Sequence, residues 1–195
     1  MFINWGLGEL NLKIVYYGPA LSGKTSNLQY IYARTPPHLR GRLVSLKTQQ
    51  ERTLLFDFLQ LEMGKINNLK PKFKLYTVPG QAYYAASRRL ILQGADGVVF
   101  VADSQAGRSA DNLESWYNME QHLVELGYDI SSFPIVVQFN KRDMQHIMPT
   151  NEMRRQLNIA AYRPCFEASA IRGVGVFDTL KAAMTAVVAQ VRKSA

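Results

Sequence analysis

Apolar residues recur along this chain in two periods, and the alternation between them predicts its architecture. Near-continuous apolar runs at Gly97-Val-Val-Phe-Val-Ala102 and Phe133-Pro-Ile-Val-Val-Gln-Phe139 read as strands buried on both faces by crossover helices. Lys13-Ile-Val-Tyr-Tyr17 and the short run Cys165-Phe166 read as further strands. Lys72-Phe-Lys-Leu-Tyr-Thr-Val78 alternates only in part, which predicts a strand nearer the sheet edge. Phe177, Leu180, Met184, Val187, Val188 and Val191 step by three and four, so a C-terminal helix with one buried stripe is expected. Leu113, Trp116, Leu123 and Val124 predict another between Ser109 and Leu126. A helix-compatible segment, Asn27 to Tyr32, ends before Pro36-Pro37. From Thr35 to Asn68 the chain is polar and basic without a clear period, and a functional loop is expected there. Strands alternating with helices predict an α/β fold: a mostly parallel central sheet with helices on both faces.

Composition adds bounds. A length of 195 residues suits one domain spanning 1–195, and 47% hydrophobic with 19% charged residues is ordinary for a globular chain. The single cysteine, Cys165, excludes an internal disulfide framework and a cysteine-rich zinc site, which suits a reducing, cytoplasmic setting. No run of about 18 apolar residues occurs. The first residues lack a signal-peptide pattern and the last carry no prenylation cysteine, so any membrane contact is expected to be peripheral. Net charge is +8, with cations concentrated between Arg34 and Lys74 and at Arg88-Arg89. A solvated surface explains this most simply; an acidic partner or anionic membrane is the sharper reading. No nucleic-acid motif accompanies the charge.

Chemistry enters at Gly18-Pro-Ala20-Leu21-Ser22-Gly23-Lys24-Thr25, followed by Ser26. This fits G-x-x-x-x-G-K-[ST] between a strand and a helix, the setting of a phosphate-binding loop. Backbone N–H groups, the helix N-terminus and the Lys24 ammonium would converge on a polyphosphate, with the Thr25 hydroxyl on Mg²⁺. About 115 residues later, Asn140-Lys141-Arg142-Asp143 follows a buried strand, where parallel sheets bind ligands. The Asp143 carboxylate can accept from both guanine N1–H and the exocyclic amine, a pair adenine lacks. An ATPase or kinase reading would require that motif to be coincidence.

Three shorter motifs complete the order. Glu167-Ala-Ser169-Ala170 resembles the E-x-S-A loop of Ras-like GTPases, whose alanine amide supports the guanine carbonyl. In Thr77-Val-Pro-Gly80-Gln81, Gly80 could offer its N–H to a γ-phosphate and Gln81 could orient the attacking water. In Glu51-Arg52-Thr53, Thr53 could bind Mg²⁺ and sense the γ-phosphate.

Taken together, the chain resembles a small Ras-like GTPase, a three-layer P-loop domain. The wording of Glu51-Arg-Thr-Leu-Leu-Phe-Asp-Phe58, Leu75-Tyr-Thr-Val-Pro-Gly-Gln81, Gly97-Val-Val-Phe-Val-Ala-Asp-Ser104 and Gly173-Val-Gly-Val-Phe-Asp-Thr-Leu-Lys181 is similar to the bacterial MglA-like branch, over almost the whole chain. That resemblance implies a GTP/GDP switch in polarity or gliding motility, cytoplasmic and recruited to a cell pole. It implies hydrolysis that is slow without an MglB-type roadblock-fold activator, and downstream effectors. It also implies that Arg52 is an arginine finger carried in cis, worth roughly 10³ to 10⁵ in rate. Two residues depart from the general Ras-like pattern. Thr77 stands where an aspartate usually holds Mg²⁺ through a water, a threonine the MglA-like branch shares, and Asp57 is one candidate for restoring the charge. Ala20 stands where glycine is usual, and its methyl is expected to crowd Gln81 or the arginine. A GTP-loaded scaffold with negligible hydrolysis is therefore the alternative. His38, His122 and His146 show no partners in sequence and suggest no metal site.

Overall fold

The computed structural model describes residues 2–47, 53–62, 64, 69–80 and 84–194. Eight strands are present among them: β1 (Phe2–Asn4), β2 (Glu9–Tyr17), β3 (Val44–Lys47), β4 (Thr53–Glu62), β5 (Lys70–Thr77), β6 (Gly97–Asp103), β7 (Ile135–Asn140) and β8 (Cys165–Glu167). The α-helices are α1 (Lys24–Arg34), α2 (Ala85–Leu92), α3 (Ser109–Glu125), α4 (Thr150–Gln156) and α5 (Val176–Ser194). They form one sheet in the order β3-β4-β5-β2-β6-β7-β8, with β1 beside the start of β2. Strand β2 pairs in parallel with β5 and β6, and β6-β7-β8 continue in parallel. Among the described residues, β1, β3 and β4 add the antiparallel pairs.

Alternate residues of β2 divide the core in two. Leu10, Leu12, Ile14 and Tyr16 join Leu28 and Ile31 of α1 and Leu180, Met184 and Val187 of α5 on one face. Val15 and Tyr17 join α2, α3 and α4 on the other, through Leu92, Trp116, Met119 and Met153. This is the three-layer arrangement expected of an α/β domain.

Several expectations are corrected. Strand β5 is not near an edge, because β4 and β2 flank it. Its alternation has another cause: Phe73, Leu75 and Thr77 are buried, while the opposite side carries half-exposed Lys72, Lys74 and Tyr76. Long polar side chains cover that side, with Lys72 Nζ 2.6 Å from Glu9 and Lys13 Nζ over the Tyr76 ring. The region left unassigned holds a 3₁₀ turn at Pro37–Leu39 and the antiparallel pair β3-β4. On α3 the buried stripe is Asn112, Trp116, Met119 and Leu123, while Leu113 and Val124 face solvent. On α5, Phe177 lies at the exposed margin of the stripe.

Candidate nucleotide-binding site

The carboxyl ends of β2, β5, β6 and β7 bring four loops to one edge of the sheet. Between β2 and α1, residues 18–24 turn sharply, with Leu21 at φ 63° and Gly23 at φ 101°. Alternating backbone handedness of this kind points successive N–H groups to one side, a concavity suited to anions. Gly23 is required twice, by its positive φ and because a Cβ there would lie 2.2 Å from Asn140 Nδ2. Lys24 is buried and folds back to donate to the Gly18 and Pro19 carbonyls at 2.8 and 2.7 Å. Burial, then the Arg88 guanidinium, pull its ammonium down to about 7, against the opposing pull of Asp57. Ser26 follows in the first turn of α1.

The segments expected from sequence to recognise a base are stitched to this loop. Asn140 donates from Nδ2 to the Ser22 carbonyl at 2.7 Å and accepts at Oδ1 from the Ala170 N–H at 2.8 Å. The Ala170 amide thus serves Asn140 in this conformation. Lys141 sits at φ 67° and reaches Asp103 Oδ2 at 2.6 Å and Gln105 Oε1 at 3.2 Å. Asp103 accepts from the Gln105 N–H and also anchors this lysine. The Ser169 hydroxyl, then the Asp143 backbone N–H, Arg172 and Lys141, hold the Asp143 carboxyl below its ordinary value. Its carboxylate is therefore ready to accept from paired N–H donors at neutral pH.

Between the third strand and the sheet's middle lies a group that sequence weighed only as a remote compensator. Asp57 pairs with Ser45 across β3-β4, and the β4-β5 register puts it opposite Thr77. It is 1% exposed and accepts from Thr25 Oγ1 at 2.6 Å, from Thr77 Oγ1 at 2.9 Å and from the Ser45 hydroxyl. Its own N–H donates to Thr77 Oγ1 at 2.7 Å. A carboxylate missing from the end of β5 is thus supplied from the neighbouring strand. Because Thr25 gives its proton to Asp57, the hydroxyl's lone pairs remain for a hard cation. This oxygen set suits Mg²⁺, which takes few protein ligands and keeps waters and phosphates for the rest.

Other predicted residues are placed differently. Gly80 lies hard against the phosphate loop, since a Cβ there would fall 2.4 Å from the Ala20 nitrogen. The Ala20 carbonyl also accepts from Arg108 Nη2 at 2.8 Å. Arg52 and Gln81 lie outside the described residues, and Thr53 is described only as the backbone start of β4. Arg88, counted in sequence only among the clustered cations, is buried on α2 at 4% exposure. His122 does have a partner, with Nδ1 3.2 Å from the Tyr17 hydroxyl. Cys165 is half-buried and its thiol is pushed up by burial, which suits structure, not nucleophilic work. Sequence also missed a buried amide pair. Asn27 Nδ2 donates to Gln138 Oε1 at 2.8 Å and Gln138 Nε2 returns a bond to Asn27 Oδ1 at 3.0 Å. Gln138 also donates to Thr179, and Asn27 to the Gly23 carbonyl, so α1, β7 and α5 together hold the phosphate loop.

A phosphate-loop geometry at the carboxyl edge of a mostly parallel sheet defines a nucleotide-binding α/β domain. A Ras-family model matches residues 38–189, a span that starts after the phosphate loop. The mutual gliding-motility protein MglA of Myxococcus xanthus is 53% identical over 192 residues, 98% of each chain. The Ras-related protein Rab7 of Pisum sativum is 28% identical over 176 residues, 87% of this chain and 79% of that one. The Ypt/Rab-type GTPase Rab7 of Neurospora crassa is 26% identical over 170 residues, 85% and 76%. The chain belongs to the Ras family of GTP-binding, GTP-hydrolysing proteins, in its bacterial MglA-like branch. No helix among the described residues is long and apolar enough to cross a membrane.

Proposed function

We propose that residues 1–195 act as one G domain that switches between GTP and GDP states to control cell polarity or gliding motility. The likeness to the gliding-motility protein supports the cellular role. The observation carrying the biochemical reading is Asp57, which pairs with Thr25 across two elements and leaves an oxygen cluster beside the phosphate loop. Thr25, Asp57 and Thr53 are the residues that would hold Mg²⁺. When bound, that ion neutralises charge on the phosphate oxygens. Lys24 and the amides of residues 20–26 hold phosphates; Asn140, Lys141 and Asp143 select guanine, with Ser169 and Ala170 shaping the wall. Gln81 orients the water and Arg52 meets the charge that develops in the transition state. A roadblock-fold activator stimulates hydrolysis, and polarity or motility effectors read the nucleotide-dependent surface.

The contact of Gly80 with Ala20 favours a second reading, a GTP-loaded scaffold whose crowded loop does not support turnover. Single-turnover GTP hydrolysis with Mg²⁺, with and without a roadblock-type partner from the same genome, separates the two. The switch reading expects stimulation that falls about 10³-fold or more in Arg52→Ala. Tight GTP binding with no turnover in either condition refutes it, and restored turnover in Ala20→Gly would then locate the block.

A further inference from the structure

On the sheet face away from α2 and α3, α5 does not close fully against the strands. A cavity of about 860 Å³ opens between α5, the end of α1 and strands β4 and β5. Its floor is Leu61, Phe73, Leu180, Met184 and Val188, and its rim carries Arg34, Lys181 and Arg192 against a single acid, Asp178. The volume lies within the roughly 300–1,000 Å³ typical of sites for small organic ligands.

Helical spacing explains how one helix builds this wall. Val176, Ala183 and Val187 of α5 are buried in the core, while Phe177, Met184, Val188 and Arg192 advance by seven- and four-residue steps along the adjoining face, Met184 belonging to both. From Phe177 to Arg192 that face runs about 22 Å at about 1.5 Å per residue. Lys181 and Arg192 are exposed and form no ion pair among the described residues. A long apolar trough with unpaired cations on its lip is complementary to one apolar tail ending in an anion.

We propose that this trough binds the acyl chain of a long-chain fatty acid, with its carboxylate held at the far end of the rim by Arg192, and Lys181 adding favourable charge along the lip. Such binding accounts for part of the basic surplus that the nucleotide site does not use. The site shares no side chain with the phosphate or guanine loops, so it stands independently of the switch assignment.

The test is a titration of cis-parinaric acid, a fluorescent fatty acid, into the full GDP-loaded chain below its micellar concentration. Saturable one-to-one binding that palmitate displaces is expected. Filling the trough with Met184→Trp should abolish it, and Lys181→Glu with Arg192→Glu should weaken it about tenfold. GDP affinity should stay unchanged in the charge variant, which shows that fold is retained. Hexadecanol, which lacks the carboxylate, should compete about tenfold less well. Absence of saturable binding overturns the proposal, as does binding of unaltered affinity in both variants. Binding only to phosphatidylglycerol vesicles, with no displacement by palmitate, also overturns it and assigns the cations to a membrane surface.

Discussion

Replacing Asp57 with asparagine tests whether one buried carboxylate does the work that Ras-like proteins assign to the strand Thr77 ends. The substitution keeps size and one acceptor oxygen, but removes the charge and turns one acceptor into a donor facing Thr25, Thr77 or Ser45. Losing one charge-assisted hydrogen bond costs about 1.5–3 kcal/mol. Removing a buried charge offsets part of that, so metal-free stability should fall by no more than about 2 kcal/mol. Metal affinity should suffer more. At an effective dielectric near 20, two unit charges about 4 Å apart interact by about 4 kcal/mol, and a divalent ion doubles it before solvation is subtracted. Loss of a residue that orients a metal ligand typically costs about 10–100-fold in affinity.

The assay is release of a fluorescent GDP analogue across a Mg²⁺ titration. Asp57→Asn should raise the Mg²⁺ midpoint about 10–100-fold while leaving metal-free release nearly unchanged. Thr77→Asp alone should place two carboxylates across one strand pair and lower metal-free stability, with Mg²⁺ restoring it. The exchange Asp57→Thr with Thr77→Asp should recover much of the wild-type midpoint. A midpoint that moves less than about threefold in Asp57→Asn, while Thr25→Ala shifts it strongly, would refute the argument.

Lys24, held near 7, should recover its proton when polyphosphate arrives beside it. From about pH 7 to the ordinary lysine value of 10.5, GDP binding should therefore take up a proton and weaken as pH rises. The nucleotide-free fold should gain stability across the same window, since only the unfolded chain keeps that proton. Calorimetry in two buffers of different ionisation enthalpy checks this, and equal heats would disprove it. Asp143 is held below its ordinary value, so guanine affinity should stay level as pH falls to the usual carboxylate range and drop only below it. Asp143→Asn should shift preference from GDP to xanthosine diphosphate, and an unaltered preference in competition binding would reject its role. Gln138→Leu strands Asn27 Oδ1 in the core and should cost about 1–3 kcal/mol in denaturant unfolding; a loss below about 0.5 kcal/mol would mean the amide pair adds little.

What sequence could reveal here depended on range. The phosphate loop, the guanine motif and the paired β6 and β7 are contiguous, so local spacing sufficed for them. Strand β4 escaped because its buried alternates are Asp57, Leu59 and Leu61, interleaved with half-buried Phe56 and Phe58. A charged residue at a buried place erased the period that would have marked it. Sequence offered Asp57 only as one candidate for restoring charge, because its placement exists only once the register sets Ser45, Asp57 and Thr77 in a row. On α3, Leu113 and Val124 misled because spacing cannot tell an inward apolar residue from an exposed one, and Asn112 took an inward place by bonding Asp103. Asn27 and Gln138 carry no motif, and only their meeting in the core gives them meaning.

Asn140 and Arg108 have a consequence for how the molecule opens. Asn140 bonds both Ser22 and Ala170, while the Arg108 guanidinium spans the Ala20 carbonyl, Asp111 and the neighbourhood of Asp103. The loops proposed to meet phosphate and base are therefore fastened side to side as well as to the sheet. Their opening should be a single cooperative fluctuation, with Ser22, Ala168 and Ala170 amides exchanging hydrogen at one common rate. Nucleotide escape then has the character of a local unfolding event, and a factor that speeds exchange need only break one of these stitches for the rest to follow.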